Sequence, residues 1–265
     1  MKRLNLGTDI TTGLENREFA MVYQPIVRIS NGSIVGFEAL MRWNHPEYGF
    51  VPPDKFIPVA EEMLSITKLT QFALSEACEA LQKFRGEIAQ SDELYVSVNI
   101  SGVDIGQTDF PNFLDHVLDQ NGLDQRHLRL ELTETALVPA SDIASANLQR
   151  LQEQGFKIAV DDFGTGYSNL AYLKHLPLTV LKIDRAFAGD AHENAVSKRI
   201  VRMLVTLGDE LGVDIVAEGL ETQRSADALR DLGCLFAQGY HYYKPMPANK
   251  ALDALNSGRQ CSDVA

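Results

Sequence analysis

The chain has 265 residues, 45% of them hydrophobic, with 36 acidic against 24 basic side chains and a formal net charge of −12. That length suits one large domain or two small ones, and the negative charge argues against non-specific binding to DNA or to anionic lipid. No stretch approaches the ~18 apolar residues of a membrane span, and the opening "MKRLNLGTDITTG" has two basic residues with no apolar run behind them, unlike a signal peptide.

Two element types alternate along the chain. Candidate strands are "MVYQPIV" (21–27), "SIVGFEALMRW" (33–43), "LYVSVNIS" (94–101), "LRLELTE" (128–134), "FKIAVDDF" (156–163), "TVLKIDR" (179–185), "VDIVAEG" (213–219) and "FAQGYHY" (236–242). Helical stretches separate most of them. "DKFIPVAEEM" and "LTQFALSEACEALQKFRG" follow the second strand, "FPNFLDHVLDQNG" the third and "SDIASANLQRLQEQG" the fourth. The last of these opens on Ser141 and closes on Gly155, a fitting cap pair. "ENAVSKRIVRMLVTLGDELG" and "TQRSADALRDLG" follow the sixth and seventh strands. Eight strands with intervening helices predict an α/β fold, a (β/α)8 TIM-type barrel. One junction breaks the pattern. Only "RISNGS" joins the first two strands, and Asn31-Gly32 is a hairpin signal, so the first strand is expected to run antiparallel to the rest. No linker divides the sequence: residues 1–256 are read as one barrel domain and 257–265 as a tail. Cys78, Cys234 and Cys261 are far apart and form no CxxC, which reads as free thiols in a reducing compartment. A cytoplasmic protein, or the cytoplasmic module of a longer one, is the expectation.

Adjacent strand residues point to opposite faces. Leu94, Val96, Val98 and Ile100 form the bulky set of the third strand, against Tyr95, Ser97, Asn99 and Ser101. In the fourth, Leu128, Leu130 and Leu132 oppose Arg129, Glu131 and Thr133. The bulky sets suit the helices and the polar sets the barrel lumen. The polar residues fall late in their strands: Glu38, Asn99, Glu131, Asp161, Lys182 and Glu218. In barrels of this kind the carboxyl ends of the strands carry the active site. Gln24, early in a reversed first strand, faces the same rim.

Hard oxygen ligands with one amide and no histidine suit Mg²⁺ or Mn²⁺. Glu38, Asn99, Glu131 and Asp161 are expected to hold one ion and Asp162 and Glu218 to help hold a second, with Asp161 shared. Two such ions activate water and clamp a phosphoryl group, and Lys182 beside them orients or deprotonates the water or stabilises developing charge. Each residue taken alone also has a structural reading: Glu38 as a solvated rim residue, Asn99 as a loop amide, Asp161-Asp162 as a turn, Lys182 as the partner of a carboxylate such as Asp184. Those readings weaken together, because the groups share one face and one rim and a core does not pool unpaired acids without compensation. The scattered histidines show no metal spacing. Tyr167, Tyr240, Tyr242 and Tyr243 are candidates for stacking on bases or for packing.

The motifs "YQPIV", "GFEALMRW", "VSVNIS", "LRLELTET", "IAVDDFGTGYSNL", "LKIDR", "VAEGLET" and "QGYHYYKP", in this order from about Leu14 to about Leu252, resemble the EAL-domain cyclic di-GMP phosphodiesterases. The resemblance implies hydrolysis of cyclic di-GMP to linear pGpG with two Mg²⁺ or Mn²⁺ ions. It makes Glu38, Asn99, Glu131, Asp161, Asp162 and Glu218 metal ligands and Lys182 the residue that positions the catalytic water, with Glu38 and Glu218 also in the catalytic set. Gln24, Arg42 and Gln238 match substrate contacts, where the planar fork of Arg42 suits a phosphate. Glu134 matches the glutamate that steadies the loop "DDFGTGYSNL", in which Asn169 stands where serine is frequent. The family also implies a homodimer whose contacts act on that loop, and sensor or regulatory domains in longer parents. Three alternatives stay open: a cyclic di-GMP receptor without hydrolysis, a dimerising regulatory module, and an enolase-like lyase using Lys182 as base.

Overall fold

The structure is a computed structural model that describes residues 3–87, 93–137, 141–163 and 178–257. Among the described residues, nine strands form one sheet: β1 (Phe19–Arg28), β2 (Ile34–His45), β3 (Gly49–Val51), β4 (Tyr95–Asn99), β5 (Leu128–Thr133), β6 (Lys157–Phe163), β7 (Val180–Ile183), β8 (Asp214–Ala217) and β9 (Phe236–Ala237). Eight of them close a barrel in the order β1, β2, β4, β5, β6, β7, β8, β9, with β9 returning to β1 and β3 added at the edge of β2. From β2 round to β9 the barrel neighbours are parallel. β1 is antiparallel to both of its neighbours. The reversed strand follows from the short connection: a parallel crossover needs a dozen or more residues. Here the chain turns back at Gly32, with φ of +68° and its amide on the Arg28 carbonyl at 2.8 Å.

The alternation of side chains divides the interior as expected. Val96, Val98, Leu128, Leu130, Leu132, Ile158, Val160, Leu181 and Ile183 pack outward in the core shared with the helices. Ile26, Tyr95, Ala159, Val180 and Val216 fill the lumen. The helices Pro53–Glu62, Ile66–Gly86, Phe110–Asn121, Asp142–Glu153, Ala195–Leu211 and Gln223–Asp231 stand where the sequence predicts them. Ser141 caps the fourth of these, its Oγ accepting from the Ala144 amide at 3.2 Å.

Several elements differ from expectation. The last strand is two residues long rather than seven. The chain leaves the sheet at Gln238, and Gly239 follows at φ of +157°, where a Cβ would lie 2.2 Å from the backbone of Leu220, so only glycine permits the turn that follows. β4 ends at Asn99 instead of Ser101, because Ser101 caps a short helix, Gly102–Ile105. The N-terminal helix Arg3–Glu15 has Gly7, Thr8, Thr11, Thr12 and Gly13 in it and little propensity to announce it. It is held by tertiary packing of Leu6 and Ile10 in a second core with Phe19, Trp43, Phe56 and Val59.

Candidate active site at the carboxyl end of the barrel

Every barrel strand delivers one polar side chain to the same mouth. Gln24 comes from β1, Glu38 from β2, Asn99 from β4, Glu131 from β5, Asp161 from β6 and Lys182 from β7. Glu218 and Gln238 follow directly after β8 and β9. The register makes neighbours of Gln24 and Glu38 and of Asn99 and Glu131.

Lys182 is the hub. Only 2% of its side chain is exposed, and its Nζ lies 2.6 Å from Glu131, 2.7 Å from Glu218, 3.0 Å from Asp161 and 3.5 Å from Glu38. A second network closes the ring above it. The Asn99 amide donates to Glu38 Oε1 at 3.1 Å, and Gln238 Nε2 donates to Glu38 Oε2 at 2.6 Å and to Glu218 Oε1 at 3.0 Å.

Four carboxylates around one ammonium leave an excess of negative charge in a largely buried ring, with Glu131 and Glu38 buried and Asp161 and Glu218 partly open to solvent. Burial, with repulsion from Glu38 and Asp161, pushes the Glu131 carboxyl up to about 8 against the pull of Lys182. Glu218 is raised well above the usual carboxylate range by burial, with Asp161 and Glu38 adding to it and Lys182 opposing. Burial alone lowers the Lys182 pKa, but the carboxylates, Glu131 foremost, outweigh it and hold the ammonium charged. Among the described residues no three acidic, histidine or cysteine side chains form a ready-made cage for a cation; the acids are turned on Lys182 instead. The donor set is nonetheless that of a hard cation, all oxygen and no sulfur or imidazole. The buried Gln238 Oε1, with no partner among the described residues, is a further acceptor at the ring.

The mouth opens into a cleft of about 450 Å³ between the barrel and the helices Pro53–Glu62 and Ile66–Gly86, within the usual range for small-molecule sites. Glu38, Arg42, Ile57 and Leu69 are among the residues that line it. Arg42 is half-buried, its Nη1 donating to the Met41 carbonyl at 2.9 Å. Burial lowers its pKa, and Tyr240 and Glu38 act in the opposite direction. Gln24 is 8% exposed, its amide on the Tyr243 carbonyl at 3.3 Å.

A profile of the EAL domain matches residues 8–245. The chain belongs to the EAL domain family. An uncharacterized protein of Mycobacterium tuberculosis is 38% identical over 248 residues, spanning 92% of this EAL chain and 80% of the relative. The cyclic di-GMP phosphodiesterase NbdA of Pseudomonas aeruginosa is 36% identical over 246 residues, 93% of this chain but 31% of NbdA. A solved structure described as the PaMucR phosphodiesterase in complex with c-di-GMP superposes with a TM-score of 0.85 at 37% identity, covering 93% of this chain and 99% of that one. The closed barrel of mixed strand orientation is thus that of EAL structures.

The EAL ring brings together Glu38, Asn99, Glu131, Asp161, Lys182, Glu218 and Gln238. Gln238, expected as a substrate contact, sits inside the acid ring itself, bridging Glu38 and Glu218. Asp184, offered as a structural partner for Lys182, instead caps the helix Arg185–Ala188, accepting from the Ala186 amide. Glu134 opens the short helix Glu134–Leu137 directly after β5. The side chain of Asp162 and the loop residues Gly164, Gly166, Tyr167 and Asn169 lie outside the described residues, as do Cys261 and the tail from 258. Of the other tyrosines, Tyr242 is buried, Tyr243 packs against the core and Tyr240 is exposed. Cys78 and Cys234 are buried free thiols whose pKa burial pushes up to about 12, so they act as packing groups. No helix among the described residues is long and apolar enough to cross a membrane. Sequence reasoning passed over Glu61 and Asp104, which support the turn after Asn99. The pattern Ser101-x-x-Asp104 is a capping box and was the available signal; Glu61 had none.

Proposed function

We propose that this chain hydrolyses cyclic di-GMP to linear pGpG with the help of divalent cations. The observation that carries the reading is the convergence of Glu38, Asn99, Glu131, Asp161 and Glu218 with Lys182 at the mouth of an EAL barrel, beside a cleft that Arg42 overlooks. Relatives named as cyclic di-GMP phosphodiesterases support the substrate. Glu38, Asn99, Glu131, Asp161, Asp162 and Glu218 are the residues that would hold two Mg²⁺ or Mn²⁺ ions. When bound, such ions supply Lewis acidity to the phosphoryl oxygens and lower the pKa of water.

The chain's own residues do the rest. Arg42 pairs with a phosphate oxygen and fixes the diester against the ring. Lys182 acts as a donor: it orients the attacking water and stabilises charge growing on the phosphoryl oxygens. Attack of a water oxygen on phosphorus forms one P–O bond and breaks one P–O3′ bond; one water proton ends on the departing O3′ and the other stays on the new phosphate or passes to solvent, leaving a 5′-phosphate and a free 3′-hydroxyl in pGpG. Gln24 from β1 and Gln238, just past β9, orient the substrate edge. A homodimer and a regulatory domain in a longer parent belong to the same reading, in a cytoplasmic setting.

A panel of cyclic di-GMP, cyclic AMP and cyclic GMP with wild-type protein and Glu218→Gln tests the assignment. Turnover of cyclic di-GMP alone, lost in Glu218→Gln, is expected. Unchanged turnover in Glu218→Gln would sink the ligand assignment. The second reading is a receptor that binds cyclic di-GMP without cleaving it, for which the panel would return binding and no product.

A further inference from the structure

The turn that follows Asn99 is tied down by a buried polar network that the proposed reaction does not use. Asn99 ends β4, and its amide faces Glu38. The next amide, Ile100, donates to the Glu131 carbonyl at 2.8 Å. Ser101 then makes three bonds at once. Its Oγ donates to Glu61 Oε1 at 2.6 Å and accepts from the Val103 amide at 3.2 Å, while its own amide donates to Asp104 Oδ2 at 3.3 Å. Thr70 Oγ1 donates to that same Asp104 oxygen at 2.6 Å. Asp104 is wholly buried, and Thr67 is a further hydroxyl partner of its carboxylate.

A four-residue helix does not call for this. An N-cap serine alone is worth about 1 kcal/mol, whereas burying the carboxyl group of Asp104 costs stability. Glu61 and Thr70 sit on the two helices that wall the cleft. Their bonds therefore fix the end of β4 against both helices at once, and against β5 through Ile100.

We propose that Glu61, Ser101 and Asp104 are positioning residues for Asn99, which hold its carboxamide on Glu38 and thereby set the affinity of the ring for a divalent cation. The inference rests on the reading of the acid ring as a cation site. The partners that orient a metal ligand typically account for about 10–100-fold in affinity.

The test titrates Mn²⁺ into wild-type protein, Glu61→Ala, Glu61→Gln and Ser101→Ala without substrate, reading free Mn²⁺ by electron paramagnetic resonance, with thermal melts in EDTA alongside. Glu61→Ala and Ser101→Ala are expected to weaken Mn²⁺ binding on the order of 10–100-fold, and Glu61→Gln, which keeps an acceptor for the Ser101 hydroxyl, to recover most of it. A purely structural role would lower the melting temperature and leave Mn²⁺ affinity as in wild type; that result overturns the inference alone. Wild-type protein that takes up no Mn²⁺ overturns the cation reading and this inference with it. If Glu61→Ala does not fold, Ser101→Ala, which removes one hydroxyl, carries the same expectations.

Discussion

Lys182 has four carboxylates within 3.5 Å and almost no contact with water. Its neighbours decide its chemistry, because an ammonium so surrounded gives up its proton only at high pH. Replacing it with alanine is expected to lower turnover by ~10²–10³-fold, the scale seen when one electrostatic donor is removed. Lys182→Arg is expected not to restore it, since a planar fork does not fit contacts of 2.6 and 2.7 Å built for a compact charge. Steady-state kinetics on the two variants checks this; full activity in either would return Lys182 to a structural role. Most members of the ring were legible in the sequence because strand parity and position late in the strand are both readable there; Glu38 departs from the second rule, as the fifth of the twelve residues of β2, which runs on past the mouth. Their partners were not. That Gln238 bridges Glu38 and Glu218, and that Glu61 reaches Ser101, depends on contacts across 200 and 40 residues, which no local pattern encodes.

At the scale of elements, the barrel owes its site to one reversed strand. β1 enters from the opposite direction and pairs with β2, which sets Gln24 beside Glu38 at the mouth. The hairpin that reverses it was readable from a short connection with Asn31-Gly32. The N-terminal helix Arg3–Glu15 was not, because its packing rather than its propensity makes it a helix. It rests on a cluster centred on Trp43, which is wholly buried. Trp43 stacks on Phe19 at 4.8 Å, meets Phe56 edge-on at 5.6 Å and donates to Glu18 at 3.0 Å. Trp43→Ala is expected to cost ~3–5 kcal/mol, measured by urea unfolding. The helix Pro53–Glu62 faces this cluster with Phe56 and Val59 and the cleft with Ile57 and Glu61. Trp43→Ala is therefore also expected to raise the KM for cyclic di-GMP. A variant that unfolds as easily as wild type would contradict the role given to the second core.

For the whole molecule, the excess of buried negative charge links stability to pH and to cations. Glu131 has an ordinary value of 4.5 and is raised to about 8 in the folded, metal-free protein. Below pH 4.5 both folded and unfolded chains hold this proton and the group contributes nothing. Between 4.5 and 8 the folded chain keeps a proton that the unfolded chain has released, so stability falls as pH rises, by up to about 1.4 kcal/mol per pH unit for one such group. Melting temperatures in EDTA are expected to fall across that window, and Glu131→Gln to flatten the fall while losing activity, the trade of stability against function common at such sites. Saturating Mn²⁺ is expected to flatten it in wild type as well, because an ion held by the deprotonated carboxylate displaces the proton, so its added stability grows as pH rises. A pH profile identical with and without Mn²⁺ would contradict the cation reading.

The most direct measurement incubates the purified protein with cyclic di-GMP in Mg²⁺, in Mn²⁺ and in EDTA, and follows product by chromatography. The ring at the barrel mouth predicts pGpG with either cation and none with EDTA. Tight binding without product, across both metals and across protein concentrations that permit dimers, would contradict it and make the chain a receptor.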